Sequence, residues 1–115
     1  MTFHREPLGQ KFPPLASPIL RNAARGERCT LRLHGCNGDW STTVLAHLRF
    51  FGWAGVAQKP SDTLAVFACS ACHDAIDGRG RVGGAQWEFE DLLRALGETI
   101  ERQRELGNII IRGQK

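Results

Sequence analysis

The short stretch CSACHDAID, Cys69 to Asp77, carries two thiols, an imidazole and two carboxylates. A Cys-x2-Cys turn lets two sulfurs converge while backbone amides stabilise their negative charge, and zinc takes four such thiolates at about 2.3 Å. Cys69 and Cys72 have that spacing, and Cys29 and Cys36, spaced Cys-x6-Cys around a Gly-Cys-Asn-Gly knuckle, supply a second pair. Four cysteines on one zinc leave no position for water or substrate, so such a site is structural. The other reading is four buried thiols without metal.

His73 asks for a different role. On a helix it is rotated about 100° from Cys72 and faces away from the sulfurs, while Asp77, four residues on, shares its face. Together they can hold one divalent cation; the plainer reading is a local cap and a solvated helix end. His47 strengthens the first reading. It alternates with Arg49 on the polar face of a strand, and phosphodiester hydrolysis needs a base for water, a cation at the scissile phosphate and departing 3′-oxygen, and a positive side chain on the backbone. Histidine suits the base because its unperturbed pKa of about 6.5 leaves the neutral form available. Arg79 and Arg81, among glycines after the helix, are placed to contact phosphate. His34 reads as a solvent-facing loop histidine, and "PSDT" around Asp62 and Thr63 reads first as a turn or cap.

These side chains need a frame. Residues 1–16 hold prolines at 7, 13 and 14 and predict an extended arm; residues 17–115 predict a single domain. Ser17, Pro18 and Gly26 bracket a short helix that delivers Cys29. From Thr42 to Phe51 the chain alternates, with Val44, Ala46, Leu48 and Phe50 on one face and Thr43, Leu45, His47 and Arg49 on the other. Leu64 to Ala68 predicts the return strand, followed by a helix from Cys69 that stops at Gly78. Strand, long loop, strand and short helix make a ββα unit clipped by metal. A last helix is expected over residues 85–106, its apolar stripe Phe89, Leu92, Leu93, Leu96 and Ile100 turned to the core, and its surface supported by Glu90 with Arg94 and Glu98 with Arg102. The tail from Asn108 reads as an edge strand or a disordered end.

The bulk properties agree with a small soluble α+β protein: 115 residues, 42% hydrophobic and 23% charged. No run approaches the roughly 18 apolar residues that span a bilayer, and the start lacks a basic flank and apolar run of an export signal, so the expectation is a cytoplasmic protein without membrane contact. In that reducing compartment paired cysteines favour metal over disulfides. The net charge of +3 is uneven: eight basic residues stand against three acidic ones up to Pro60, and seven against nine from Ser61 onward. A basic front half suits a polyanion.

"RGERCTLRLHGCNGDWSTTVLAHLRF" and "KPSDTLAVFACSACHDAIDGR" resemble the small prophage proteins of the YbcO type, which look related to the catalytic domain of Ref, a RecA-dependent HNH endonuclease of bacteriophage origin. The resemblance covers about Arg25 to Arg79. It implies an HNH fold, ββα-metal or treble-clef-like, with structural Zn2+ on Cys29, Cys36, Cys69 and Cys72. It also places His47 as general base, and His73 with Asp77 as ligands of a catalytic Mg2+ or Mn2+. DNA is the implied substrate, with 5′-phosphate and 3′-hydroxyl products, and a RecA-type recombinase filament is an implied partner. Two positions depart from the family pattern. Ala46 stands where HNH proteins commonly carry a metal ligand before the base, and the middle asparagine that orients the base has Asp62 or Thr63 as its nearest counterpart; His34 is a candidate substitute ligand. The rival expectation is a non-catalytic zinc module that binds nucleic acid or a recombination protein. A third is a protein-only adaptor using Trp53 and the apolar stretch "RFFGWAGVA".

Overall fold

The Ser17 hydroxyl accepts the Leu20 amide hydrogen at 3.2 Å and Pro18 fills the first helical position, so α1 (Pro18–Ala23) begins where cap and proline dictate. The computed structural model of the protein describes residues 14–50, 59–78 and 87–114. Within them residues 15–17 are tied down rather than loose: Leu15 pairs its amide with the Ser61 hydroxyl and its carbonyl with the Asp62 amide. α1 buries Leu20, and Gly26, at φ +74°, takes the left-handed turn that sends the chain toward Cys29.

The segment from Cys29 to Cys36 folds as a knuckle closed by the Cys36 amide on the Leu33 carbonyl at 2.9 Å. A 3-10 turn, Trp40–Thr42, capped by Asp39, then feeds β1 (Val44–His47). β1 runs antiparallel to β2 (Ala65–Ala68), with Val44 opposite Ala68 and His47 opposite Ala65. The paired strand is shorter than the alternation over 42–51 predicts. Thr42 is held in the turn, its hydroxyl donating to the Asp39 carbonyl and accepting from the Ser70 amide, and β2 offers only four residues to pair with. One further bond, from the Leu48 amide to the Leu64 carbonyl at 2.9 Å, carries the pairing past the ladder. Alternation sets burial from Ala46 on: Ala46 and Leu48 are buried, whereas Val44 at the strand's start is exposed.

All four residues of β2 are buried, which suits a strand covered on both faces. Its second edge is completed by Thr30 and Thr99. The Phe67 carbonyl accepts from the Thr30 amide at 2.8 Å and the Thr30 hydroxyl at 2.9 Å, the Phe67 amide donates to the Thr99 hydroxyl at 3.1 Å, and the two hydroxyls lie 2.9 Å apart. Thr99 belongs to α3 (Phe89–Glu105), so the helix closes the sheet edge.

That requirement corrects the expected stripe. α3 turns Leu92, Ala95, Thr99 and Gln103 inward, while Phe89 and Leu93 are exposed, Leu93 at 73%. Gln103 donates from Nε2 to the Leu20 carbonyl at the end of α1, so two of the four buried positions serve backbone groups that an apolar residue would leave unpaired. The expected pairs Glu90–Arg94 and Glu98–Arg102 are likewise replaced. Arg94 reaches the Thr30 and Leu31 carbonyls, Glu98 takes both guanidinium nitrogens of Arg32, and Arg102 takes Glu27. α3 starts at Phe89, held by a capping box between Glu88 and Asp91, with Trp87 and Glu88 outside the helix; the expected start at 85 lies outside the described residues. After Leu106 and Gly107 the tail forms a turn at 111–114 and no strand.

α2 (Ser70–Ile76) follows β2 directly and ends at Gly78, φ +75°, as the sequence predicts. The result is an α+β arrangement in which α2 and α3 pack with the two-stranded sheet around Leu31, Leu48, Val66, Cys72, Leu92 and Ala95. Among the described residues no helix is long and apolar enough to cross a membrane.

Candidate functional site

The four cysteines meet. Their sulfurs lie within 4.8 Å of one another, and Cys36 and Cys69 are 3.7 Å apart. Tetrahedral zinc at about 2.3 Å from each sulfur needs sulfur–sulfur edges of about 3.8 Å, so the donor set fits that ion in type and spacing. The knuckle supplies Cys29 and Cys36; the N-terminal turn of α2 supplies Cys69, as its cap, and Cys72. The Arg32 amide points at the Cys29 sulfur and the Cys72 amide at the Cys69 sulfur, both at 3.4 Å. The hydrogen bond from Cys72 holds the Cys29 thiol down at about 4, and the same bond pushes the Cys72 thiol up; burial pushes Cys36 up as well. A cluster so close together cannot become four thiolates unless a cation sits among them.

A second centre opens beside the first. His73 Nε2 stands 3.2 Å from Asp77 Oδ2 on one face of α2, with both side chains part-exposed. Two donors bound to one Mg2+ at about 2.1 Å sit about 3 Å apart at adjacent octahedral positions, so this pair also fits a single cation. The face opens on a cleft of about 720 Å3 that is also lined by His47 and Arg49 of the β1 segment. The rings at 47 and 73 therefore share one cavity outside the sulfur cluster.

His47 is 11% exposed at its side chain, and its Nε2 lies 2.7 Å from Asp62 Oδ1. Asp62, 6% exposed, takes the Ser17 amide on its other oxygen at 2.6 Å and Arg21 Nε at 3.2 Å. Burial alone would push this carboxyl up; the Ser17 amide, His47 and Arg21 outweigh it and hold Asp62 below the ordinary carboxylate value. An ionised carboxylate only accepts hydrogen bonds, so Nε2 of His47 is the donor to Asp62, and in a neutral imidazole the acceptor is then Nδ1. The expected turn is there, with the Leu64 amide on the Ser61 carbonyl at 2.9 Å, but it explains neither long-range contact of the carboxylate; the resemblance, which makes Asp62 or Thr63 the nearest counterpart of the base-orienting asparagine, points to the one with His47.

Two positions named from the sequence fall outside the cleft lining. Ala46 is fully buried in the core and offers no donor. His34 is exposed on the knuckle and is not among the residues that line the cleft. Arg79 and Arg81, with Trp53, lie outside the described residues. The sequence reading in turn passed over Arg21, Asn22 and Arg25 at α1 and Lys59 before β2, all of which line the cleft. The signal for the first group was the i, i+4 spacing of two arginines on a helix otherwise read only as a carrier of Cys29.

A family model described as "Putative nuclease YbcO" matches residues 19–108. Two curated relatives, "Putative nuclease YbcO" of Escherichia coli (strain K12) and "Putative nuclease ybcO" of Enterobacteria phage 82, are each 47% identical to this chain over 81 residues, 70% of this chain and 84% of theirs. A solved structure of a putative bacteriophage protein from Escherichia coli K-12 is 35% identical, covers 77% of this chain and all of its own, and superposes with a TM-score of 0.58. The chain belongs to the YbcO putative nuclease family.

Proposed function

We propose that the protein is a metal-dependent HNH-type endonuclease that hydrolyses phosphodiester bonds in DNA, with structural Zn2+ on the four cysteines and Mg2+ or Mn2+ on His73 and Asp77. Its family makes nucleic acid the substrate class. The observation that carries the rest is the opening of His47, His73 and Asp77 onto one cleft next to the sulfur cluster.

The residues divide the work. His47, its tautomer fixed by Asp62, accepts a proton at Nδ1 from a water that attacks phosphorus. Arg49 holds the phosphate that is cut. A cation on His73 and Asp77, when bound, supplies charge neutralisation at that phosphate and at the leaving 3′-oxygen. Asp62 stands in for the middle asparagine of the HNH pattern, a carboxylate where the family carries an amide. The products would be a 5′-phosphate and a 3′-hydroxyl. The sequence resemblance to the catalytic domain of Ref is the ground on which the proposal extends to phage recombination in the cytoplasm, with a RecA-type filament presenting the DNA.

Nicking of supercoiled plasmid across Mg2+, Mn2+ and EDTA, with and without a RecA-type filament, tests this reading. His47→Ala is expected to lower cleavage by about 10²- to 10⁴-fold, with zinc content retained. A variant that cuts like its parent refutes the mechanism. The second reading, a non-catalytic zinc module that binds nucleic acid, is favoured by Ala46, whose burial leaves the cation one protein ligand short of the pattern. It predicts one zinc per chain and no response to added Mg2+ or Mn2+.

A further inference from the structure

Cations are distributed very unevenly over this molecule in what they touch. On the α3 side Arg32, Arg102 and Arg104 are each paired with a glutamate, Arg94 lies near Asp91 and Glu98, and a groove of about 420 Å3 there mixes Glu27, Glu98 and Glu105 with Arg32, Arg102 and Arg28, of which Arg28 alone pairs with no carboxylate among the described residues. On the cleft side Arg21 is committed to Asp62. Arg25 and Lys59 line the same cleft, are exposed, and pair with no carboxylate among the described residues. Among the described residues, four cationic side chains, Arg21, Arg25, Arg49 and Lys59, thus face a cleft whose lining has one acid, Asp77. That acid is the one assigned to a cation.

We propose that Arg25 and Lys59 form a backbone grip that holds nucleic-acid phosphates beyond the one being cut, by charge and without reading bases. The inference rests on the cleft being a nuclease site, and it adds to that reading where the strand runs: from the His73 face of α2 past β1 and out along the end of α1. The volume favours a polymer over a lone anion, since about 720 Å3 is the size of a pocket for a whole organic ligand. The chemistry favours phosphate over base edges, since an ammonium and a guanidinium on exposed, long side chains neutralise backbone charge and release counterions. Arg25 is tied to α1 by its amide on the Asn22 carbonyl at 3.3 Å, which fixes the root of the side chain while leaving its head in the cleft.

The test is binding of a fluorescein-labelled DNA duplex, followed by anisotropy in EDTA so that cutting cannot interfere, over a series of salt concentrations. The double variant Arg25→Ala/Lys59→Ala is expected to bind at least about tenfold more weakly near 0.1 M salt, and to flatten the slope of log K against log salt by about 2, near 0.9 for each lost phosphate contact. Arg104→Ala, which removes a glutamate-paired cation outside the cleft lining, should leave the slope unchanged, and Arg25→Lys/Lys59→Arg should restore it. Thermal melting checks that all variants are folded. A double variant that matches Arg104→Ala in affinity and slope overturns the grip, as does a parent protein that fails to bind duplex. The measurement needs no turnover. If the parent binds but never nicks plasmid, the endonuclease reading falls and the grip stands; if the parent nicks and the double variant binds like it, only the grip falls.

Discussion

One seven-residue helix, α2, serves two centres that differ in every property a metal would sense. Toward the knuckle it presents the sulfurs of Cys69 and Cys72, both buried and each within reach of a second cysteine pair. About 100° around the axis it presents the nitrogen of His73 and the oxygen of Asp77, part-exposed on an open cleft. Soft, closed and dry on one face, hard, open and wet on the other, the helix carries part of a thiol cluster that could hold zinc and, on the function proposed above, the two ligands of a cation that would meet substrate. On the proposed function, the adjacency of Cys72 and His73 is what would let so small a protein do both: the clip would fix the helix, and the helix the reacting groups.

The sharpest way to break this contrast is to remove a sulfur. Structural zinc contributes about 10–16 kcal/mol to folding in small zinc domains, against a net stability of about 5–15 kcal/mol for a typical domain. Cys72→Ser is therefore expected to abolish the cooperative thermal transition followed by circular dichroism and to lose bound zinc, with cleavage lost as a consequence. A serine variant that melts within a few degrees of its parent would mean the sulfur cluster is not a staple.

Asp62→Asn acts on the other centre and should be milder. The amide can still reach His47, but it offers Nε2 a donor as readily as an acceptor and no longer attracts Arg21, so the imidazole loses its fixed tautomer. Cleavage is expected to fall by about 10-fold or more, within the roughly 10²- to 10⁴-fold that a general base contributes, while zinc content stays whole. Stability should fall by about 1.5–3 kcal/mol at neutral pH, the usual worth of a hydrogen bond to a charged group. The sign with pH follows from the lowered carboxyl. Its stabilisation is present above the unfolded value of 3.8 and is lost as pH falls through the lower folded value. The parent protein should therefore lose stability below about pH 4 more steeply than Asp62→Asn; equal acid profiles would remove Asp62 from the account.

The two centres were not equally legible in the sequence, and the reason is range. Cys-x2-Cys, His73 with Asp77 at i, i+4, and Ser17 before Pro18 are relations within one turn, where spacing fixes geometry. The knuckle cysteines follow because a second close pair of the same chemistry has one partner to find. Asp62 on His47 is different: the residues lie fifteen apart with a long connection between them, and nothing local separates a turn aspartate from one that turns back onto a strand. Thr99 and Gln103 misled the reading of α3 for a related cause. A periodicity of apolar residues predicts the buried face of a helix whose neighbour is apolar, but this neighbour is a sheet edge and a helix end that need hydrogen bonds, so the helix turns its hydroxyl and amide inward and leaves Leu93 outside. Arg25 and Lys59 gain meaning only once α1 and the approach to β2 share a wall.

The smallest expected effect tests how strictly each centre satisfies its polar groups. The clip leaves little loose, with backbone amides pointed at Cys29 and Cys69 and the Asn37 amide joining the knuckle to the Ser70 hydroxyl at 2.9 Å. The cleft wall is less exacting: the Thr43 hydroxyl is buried at its edge and is the one buried side-chain polar atom among the described residues with no hydrogen-bond partner. Valine has nearly the shape of threonine without the hydroxyl, so Thr43→Val removes a desolvated group and leaves the packing. The expected outcome is a gain of about 1 kcal/mol, read as a rise of about 4–6 °C in the melting temperature, with duplex binding and cleavage unchanged. A variant that melts lower would show that the hydroxyl has a partner such as an enclosed water. Unchanged stability with weakened cleavage would instead make Thr43 part of the working surface, extending the cleft inward behind β1.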